Sequence, residues 1–189
     1  MVKVVLLQSS IVGTKTRTVL EYVQSVLLEK HPQLDVTMLD LKDFDLPFSD
    51  GRNYLDYTGD AGYVTRTIMA ADAIIIGTPV FQASIPATLK NIFDLLPEQA
   101  FLDKVVSIIM TAGSAKHYMV AETQIKPIVS YMKGQLTQAF VYIEEKDFHQ
   151  KELVNDDILF RLDRLVEDTV DLAKALEKIR LAKNAEYGF

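Results

Sequence analysis

Val2-Lys-Val-Val-Leu-Leu7 is an almost unbroken apolar run rich in β-branched residues. Runs of that kind suit strands buried on both faces. The period then changes. Val19, Tyr22, Val23, Val26 and Leu27 share one face of a helix over about Thr14–Lys30. His31-Pro32 ends it, because the residue before a proline is pushed out of the helical region. Leu34, Val36 and Met38 alternate as in a second or edge strand. The 42–60 region is polar and holds Pro47, Gly51 and Gly59, which predicts mostly loop. A helix near Gly62–Ala71 leads into a buried strand at Ala73–Gly77. Leu89, Ile92, Phe93 and Leu96 then mark a short helix within 84–97. A strand at Lys104–Met110, a helix at about Tyr118–Lys133, a strand at Phe140–Ile143 and a long helix at about Asp156–Lys183 complete the pattern. The last helix sets Ile158, Leu159, Leu162, Leu165, Val166, Leu172, Leu176 and Ile179 on one side, which predicts packing on the sheet, with a dimer contact as the other reading.

Strands alternating with helices argue for parallel βαβ units. Five of each in one chain predict an α/β fold of flavodoxin-like type. It is a three-layer α/β/α sandwich on a five-stranded parallel sheet of order 2-1-3-4-5. Residues 1–189 then form a single domain, with no internal repeat or linker. Ligands of such folds sit beyond the carboxyl ends of the strands, where the order switches. The loops after the first, third and fourth strands are therefore the informative ones.

Composition narrows the chemistry. Of 189 residues, 49% are hydrophobic and 24% charged, an ordinary globular balance. The absence of cysteine excludes disulfides, thiolate metal sites and cysteine nucleophiles, and fits a reducing, cytoplasmic setting. His31, His117 and His149 show no metal spacing, so no metal site is expected. The first strand begins at Val2, which leaves no room for a signal peptide, and no apolar run approaches the roughly 20 residues of a membrane span. A formal charge of −6 argues against nucleic acid as partner.

The first loop, Gln8-Ser-Ser-Ile-Val-Gly-Thr-Lys-Thr-Arg-Thr18, crowds hydroxyls around Gly13 at a helix start. Free N–H groups and the dipole end there favour anions. The same run also suits a plain N-cap with solvated hydroxyls. It lacks both the Walker ending and the Gly-x-Gly-x-x-Gly fingerprint. The third loop, Thr78-Pro-Val-Phe-Gln-Ala-Ser-Ile-Pro86, sets a stiff apolar wall beside the polar Gln82 and Ser84. Such a wall suits a flat heteroaromatic ring, or merely fills core. The fourth loop, Thr111-Ala-Gly-Ser-Ala-Lys-His117, has small residues that let backbone approach a ligand, or form an ordinary turn capped by Ser114. A lone histidine such as His117 is more often structural or exposed than catalytic.

Thr78-Pro-x-Phe81-Gln-x-Ser84-Ile-Pro86-x-x-Leu89-Lys90-Asn91-x-Phe-Asp94 resembles the signature of the NAD(P)H-dependent FMN reductases. With the Ala112-Gly-Ser turn and Lys126-Pro127, it looks most like the FMN reductases that supply two-component alkanesulfonate monooxygenases. The resemblance runs over about residues 2–145. It implies bound FMN and oxidation of NADPH or NADH, with electrons passed to a flavin, quinone or azo acceptor. It also implies homodimers or homotetramers, and a flavin-dependent monooxygenase as a partner. Carried onto this sequence, it implies that Ser9, Thr14, Lys15 and Thr16 hold the FMN phosphate. Thr78, Pro79, Val80, Phe81, Gln82 and Ser84 would line the ring. Thr111, Ala112, Gly113 and Ser114 would approach its far edge or the ribityl chain. The chemistry belongs to the cofactor, so no catalytic side chain is expected. The family's first loop usually reads Gly-Ser-x-Arg; here Gln8-Ser9-Ser10-Ile11 lacks the arginine, and Lys15 and Arg17 are the nearby cations. Phe81 and Gln82 stand where tyrosine and asparagine are common. The rival from another class is a flavodoxin-type electron carrier without nicotinamide activity. Carriers of that kind are acidic near the ring, whereas Gly77–Ser84 and Thr111–Lys116 hold no carboxylate.

Overall fold

The three inner strands of the central sheet bury both of their faces. In the computed structural model, which describes residues 1–187, β1 (Lys3–Gln8) sends Val5 and Leu7 to one core and Val4 and Leu6 to the other. β3 (Ala73–Pro79) divides Ile74 and Ile76 from Ala73 and Ile75 in the same way. β4 (Val105–Ala112) divides Val106, Ile108 and Met110 from Val105 and Ile109. Alternate side chains point to opposite faces, so a continuous apolar run is what two helical layers require. α1 (Lys15–Lys30) and α5 (Asp156–Tyr187) cover one face; α2 (Gly59–Ala70), α3 (Ala87–Leu95) and α4 (Lys126–Tyr131) cover the other. With β2 (Asp35–Asp40) at one edge, the order is the expected 2-1-3-4-5, all parallel. No helix among the described residues is long and apolar enough to cross a membrane.

Five local readings change. The fifth strand is split into β5 (Gln135–Leu136) and β6 (Val141–Glu144), both paired with β4. Between the pairs Val106–Leu136 and Ile109–Val141 the fifth strand carries two more residues than β4, so it must loop out. Phe140 leaves the ladder and packs against Tyr118, ring centroids 4.8 Å apart. The helix expected over Tyr118–Lys133 opens with a π segment, Ala121–Ile125, in which the Lys126 amide reaches back to the Ala121 carbonyl. Pro127 follows directly and has no N–H to offer the α ladder. An antiparallel hairpin, β7 (Phe148–His149) and β8 (Glu152–Leu153), precedes α5.

The fourth change concerns α5. It buries Ile158, Leu162, Leu165, Val166, Val170 and Ala173, but leaves Leu172 and Ile179 exposed. At 1.5 Å per residue its 32 residues span about 48 Å, about twice the length of the strands it covers. Past the sheet its last turns hold on by Arg180, 3.0 Å from Asp72. Further along the chain's edge, α2 starts at Gly59, earlier than expected, because Gly62 lets the Tyr57 carbonyl pass where a Cβ would stand.

α1 ends at His31, whose amide donates to the Leu27 carbonyl. Its Nε2 is buried without a partner among the described residues. Burial, with Lys174 nearby, pushes the imidazole below its ordinary range. The unfolded chain therefore binds a proton that the folded one resists. Stability contributed by the neutral ring is present above about pH 6.5 and falls as pH drops through that value. Denaturant titrations between pH 7 and 5 should show this loss, and His31→Gln should remove part of the slope.

Candidate active site

The loops after β1, β3 and β4 meet at the carboxyl edge of the sheet. There they enclose a cavity of about 340 Å³, with Glu145 and Lys151 closing one side. A second concavity of about 470 Å³ adjoins it, sharing Val80, Ala112 and Gly113. Together they match the size of a cofactor cleft.

One end is built for an anion. Gly13 takes φ +74°, which turns the chain into α1. Thr14 is the N-cap, but its side chain makes no cap bond, and α1 has no acidic residue in its first turn. The first N–H groups of a 16-residue helix thus open onto the cavity without side-chain partners. Thr16 is buried, its hydroxyl 2.7 Å from that of Thr111, which ties the helix start to the end of β4. Lys15 lines the cavity and forms an ion pair with Glu145; its Nζ also lies 5.7 Å from the centre of the Phe148 ring. Arg17 turns away, to Glu21 at 2.8 Å and Asp40 at 3.0 Å. Of the two cations near the loop, only Lys15 faces the site.

The other end is a stiff wall. Phe81 and Ser84 exchange two backbone hydrogen bonds of 2.9 Å across Gln82 and Ala83, which take φ +49° and +60°. Both central residues of the turn are thus left-handed, a mirror-image turn closed without glycine or asparagine. The Val80 amide donates to the Thr111 carbonyl at 2.9 Å, so the wall continues the β3–β4 ladder. Tyr142 donates to the Ser114 carbonyl at 2.6 Å and steadies the fourth loop. Burial pushes that phenol upward, so it remains a donor. Gly113 lines both concavities, and a Cβ there would meet no atom and stand in the open space. Hydroxyls, free amides and a cation at one end, with an apolar wall and polar edge at the other, form a donor set that fits FMN.

The structure brings most of the expected residues together. Thr14, Lys15, Thr16, Pro79, Val80, Phe81, Thr111, Ala112 and Gly113 line the first cavity; Gln82 and Ser114 line the second. Three expected residues line neither. Ser9 is fully buried, its amide and hydroxyl both donating to the Gly77 carbonyl while its own carbonyl accepts from Thr88. Thr78 lies behind the wall and donates to the Pro79 carbonyl at 3.2 Å. Ser84 donates to Gln124 at 2.7 Å, anchoring the turn to the π segment. These three hold the loops in place. The sequence reading missed Ser10, Val12, Ala83, Glu145 and Lys151, and set His117 aside although it lines the second concavity. Nearness to Thr111 on the same loop was the available signal for His117; Glu145 and Lys151 lie beyond the last strand of the central sheet and carried none.

The family described as NADPH-dependent FMN reductase matches residues 2–148. A NAD(P)H-dependent FAD/FMN reductase of Geobacillus thermodenitrificans is 36% identical over 172 residues, 90% of this chain and 93% of its own length. The NADH-dependent FMN reductase SfnF of Pseudomonas fluorescens is 26% identical over 71% of this chain and 72% of its own. Among solved structures, the flavoenzyme NAD(P)H:(acceptor) oxidoreductase FerB of Paracoccus denitrificans superposes with a TM-score of 0.74 at 16% identity. That match covers 93% of this chain and 98% of FerB, a likeness of fold.

Proposed function

Because this chain belongs to the family of NADPH-dependent FMN reductases, we propose that the cavity at the carboxyl edge of its sheet is the FMN site of an NAD(P)H-dependent oxidoreductase. The observation that carries the assignment is the uncapped start of α1 opening beneath the Pro79–Phe81 wall. Thr14, Lys15 and Thr16 take the phosphate at the helix start. Pro79, Val80 and Phe81 back the ring, Gln82 reaches its polar edge, and Thr111–Ser114 run along the ribityl side. FMN held there would supply the redox chemistry between NADPH or NADH and a flavin, quinone or azo acceptor. The chain's own part is to bind, orient and shield. No carboxylate lies on the ring loops, which favours nicotinamide approach over the acidic surface of an electron carrier. With FMN under air, the protein should oxidise NADPH or NADH faster than free FMN does. No excess over free FMN, with flavin bound, would favour the carrier instead.

A second copy of the chain is the proposed occupant of the groove between α3 and α4. This groove of about 480 Å³ is floored by Phe93, Leu96, Ile128 and Met132, with Tyr131 62% exposed at its lip. Lys90 and Asp94 stand on its rim, 2.6 Å apart, so a two-fold axis running between them would set each against its opposite charge in the second copy. Light scattering at micromolar concentration should give at least a dimer mass; a monomer would overturn this.

A further inference from the structure

The β7–β8 hairpin belongs to none of the three ligand loops, yet charged residues from its approach and its tip both line the same cavity. Its approach is firmly anchored. Asp147, 4% exposed, accepts from the Glu144 amide at 2.8 Å and from Asn155 Nδ2 at 2.7 Å, and its carbonyl accepts from the Val154 amide. At the tip Gln150 and Lys151 take φ +49° and +73°, a tight turn without glycine. That turn brings Lys151 to the cavity that Thr14, Lys15 and Thr16 line. Just before the hairpin, Glu145 pairs with Lys15 across the same space. Two cations and one carboxylate therefore line the cavity that holds the proposed phosphate seat.

We propose that Lys151 is a second phosphate-binding cation, carried in from beyond the last strand, and that Glu145 is a built-in competitor for Lys15 that keeps FMN exchangeable. This rests on the reading that the FMN phosphate sits at the start of α1. A phosphate dianion entering there must either take Lys15 from Glu145 or lie beside that carboxylate, and each alternative weakens its hold. Lys151 offsets the loss in a chain whose first loop lacks the arginine usual in the family. The site therefore treats FMN as a substrate that comes and goes.

Flavin titrations by fluorescence quenching test this with an internal control, since riboflavin lacks the phosphate. Lys151→Gln should weaken FMN binding about tenfold and leave riboflavin unchanged, while Lys151→Arg keeps the wild-type affinity. Glu145→Gln should tighten FMN several-fold and slow its release, again without effect on riboflavin. Melting curves of each variant establish that the fold is intact. The proposal is overturned if Lys151→Gln binds FMN like the wild type, if Glu145→Gln weakens FMN, or if either change moves both flavins equally. A wild type that fails to prefer FMN over riboflavin overturns the phosphate assignment as well. A wild type with that preference and unaffected variants removes only the hairpin's role.

Discussion

Thr14→Glu should weaken FMN binding by about one to three decades and leave riboflavin binding nearly unchanged. Thr14 is exposed, lines the cavity and spends no hydrogen bond on capping α1, so the fold loses little when it is replaced. A carboxylate at a helix start is itself favourable to the helix. Set about 4 Å from a phosphate charge, it costs roughly 1 kcal/mol in water and about 4 at an effective dielectric near 20. Each 1.4 kcal/mol is about tenfold in affinity. Thr16 is a poorer target than its place in the loop suggests. It is 3% exposed and bonded to Thr111, so a glutamate there would bury a charge in the seam between α1 and β4. Equal losses for the two flavins in Thr14→Glu would move the phosphate away from this loop.

Phe101→Ala should cost about 3–5 kcal/mol of folding stability and lower the melting temperature by roughly 6–20 °C. Phe101 is 1% exposed and stands edge-on to Phe93, with centroids 6.1 Å apart at 84°. Its amide donates to the Met132 carbonyl at 3.1 Å, so it joins the turn before β4 to the end of α4. The space left behind is boxed in by strands and helices that cannot close over it, which is when a cavity costs most. Phe101→Leu keeps most of the volume and should lose about half as much or less. Since Phe93 also floors the α3–α4 groove, the alanine variant should weaken self-association too. A thermal shift of under about 2 °C for Phe101→Ala would mean that the surrounding layer repacks freely.

The strands were legible because parallel strands buried on both faces leave nearly continuous apolar runs, and the chain keeps them at Val4–Leu7, Ala73–Ile76 and, broken only by Ser107, Val105–Met110. α1 was legible by its stripe. Direction at the strand ends was not. Ser9 and Thr78 have the right chemistry in the right loops, but hydrogen bonds to Gly77 and Pro79 turn them inward, and no local pattern reports that. Both tight turns were hidden for one reason. Gln82-Ala83 and Gln150-Lys151 adopt left-handed backbone without the glycine or asparagine that announces it, so tertiary contacts hold what local preference resists. The split of the fifth strand was hidden because it comes from a mismatch in pairing length with β4, which the segment itself does not record.

The pairing of Val4 with Ala73 has a kinetic meaning. About seventy residues of chain must be gathered before β1 can meet β3, and the loop that holds Thr14 lies against the end of β4 only after a second such closure. No two walls of the cavity are neighbours along the chain. A half-folded molecule therefore offers flavin nothing to grip, and the cofactor cannot guide the search. Flavin bound in the completed cavity would act as a lock applied after assembly, slowing the exit from the native state and leaving the rate of entry to the sheet alone.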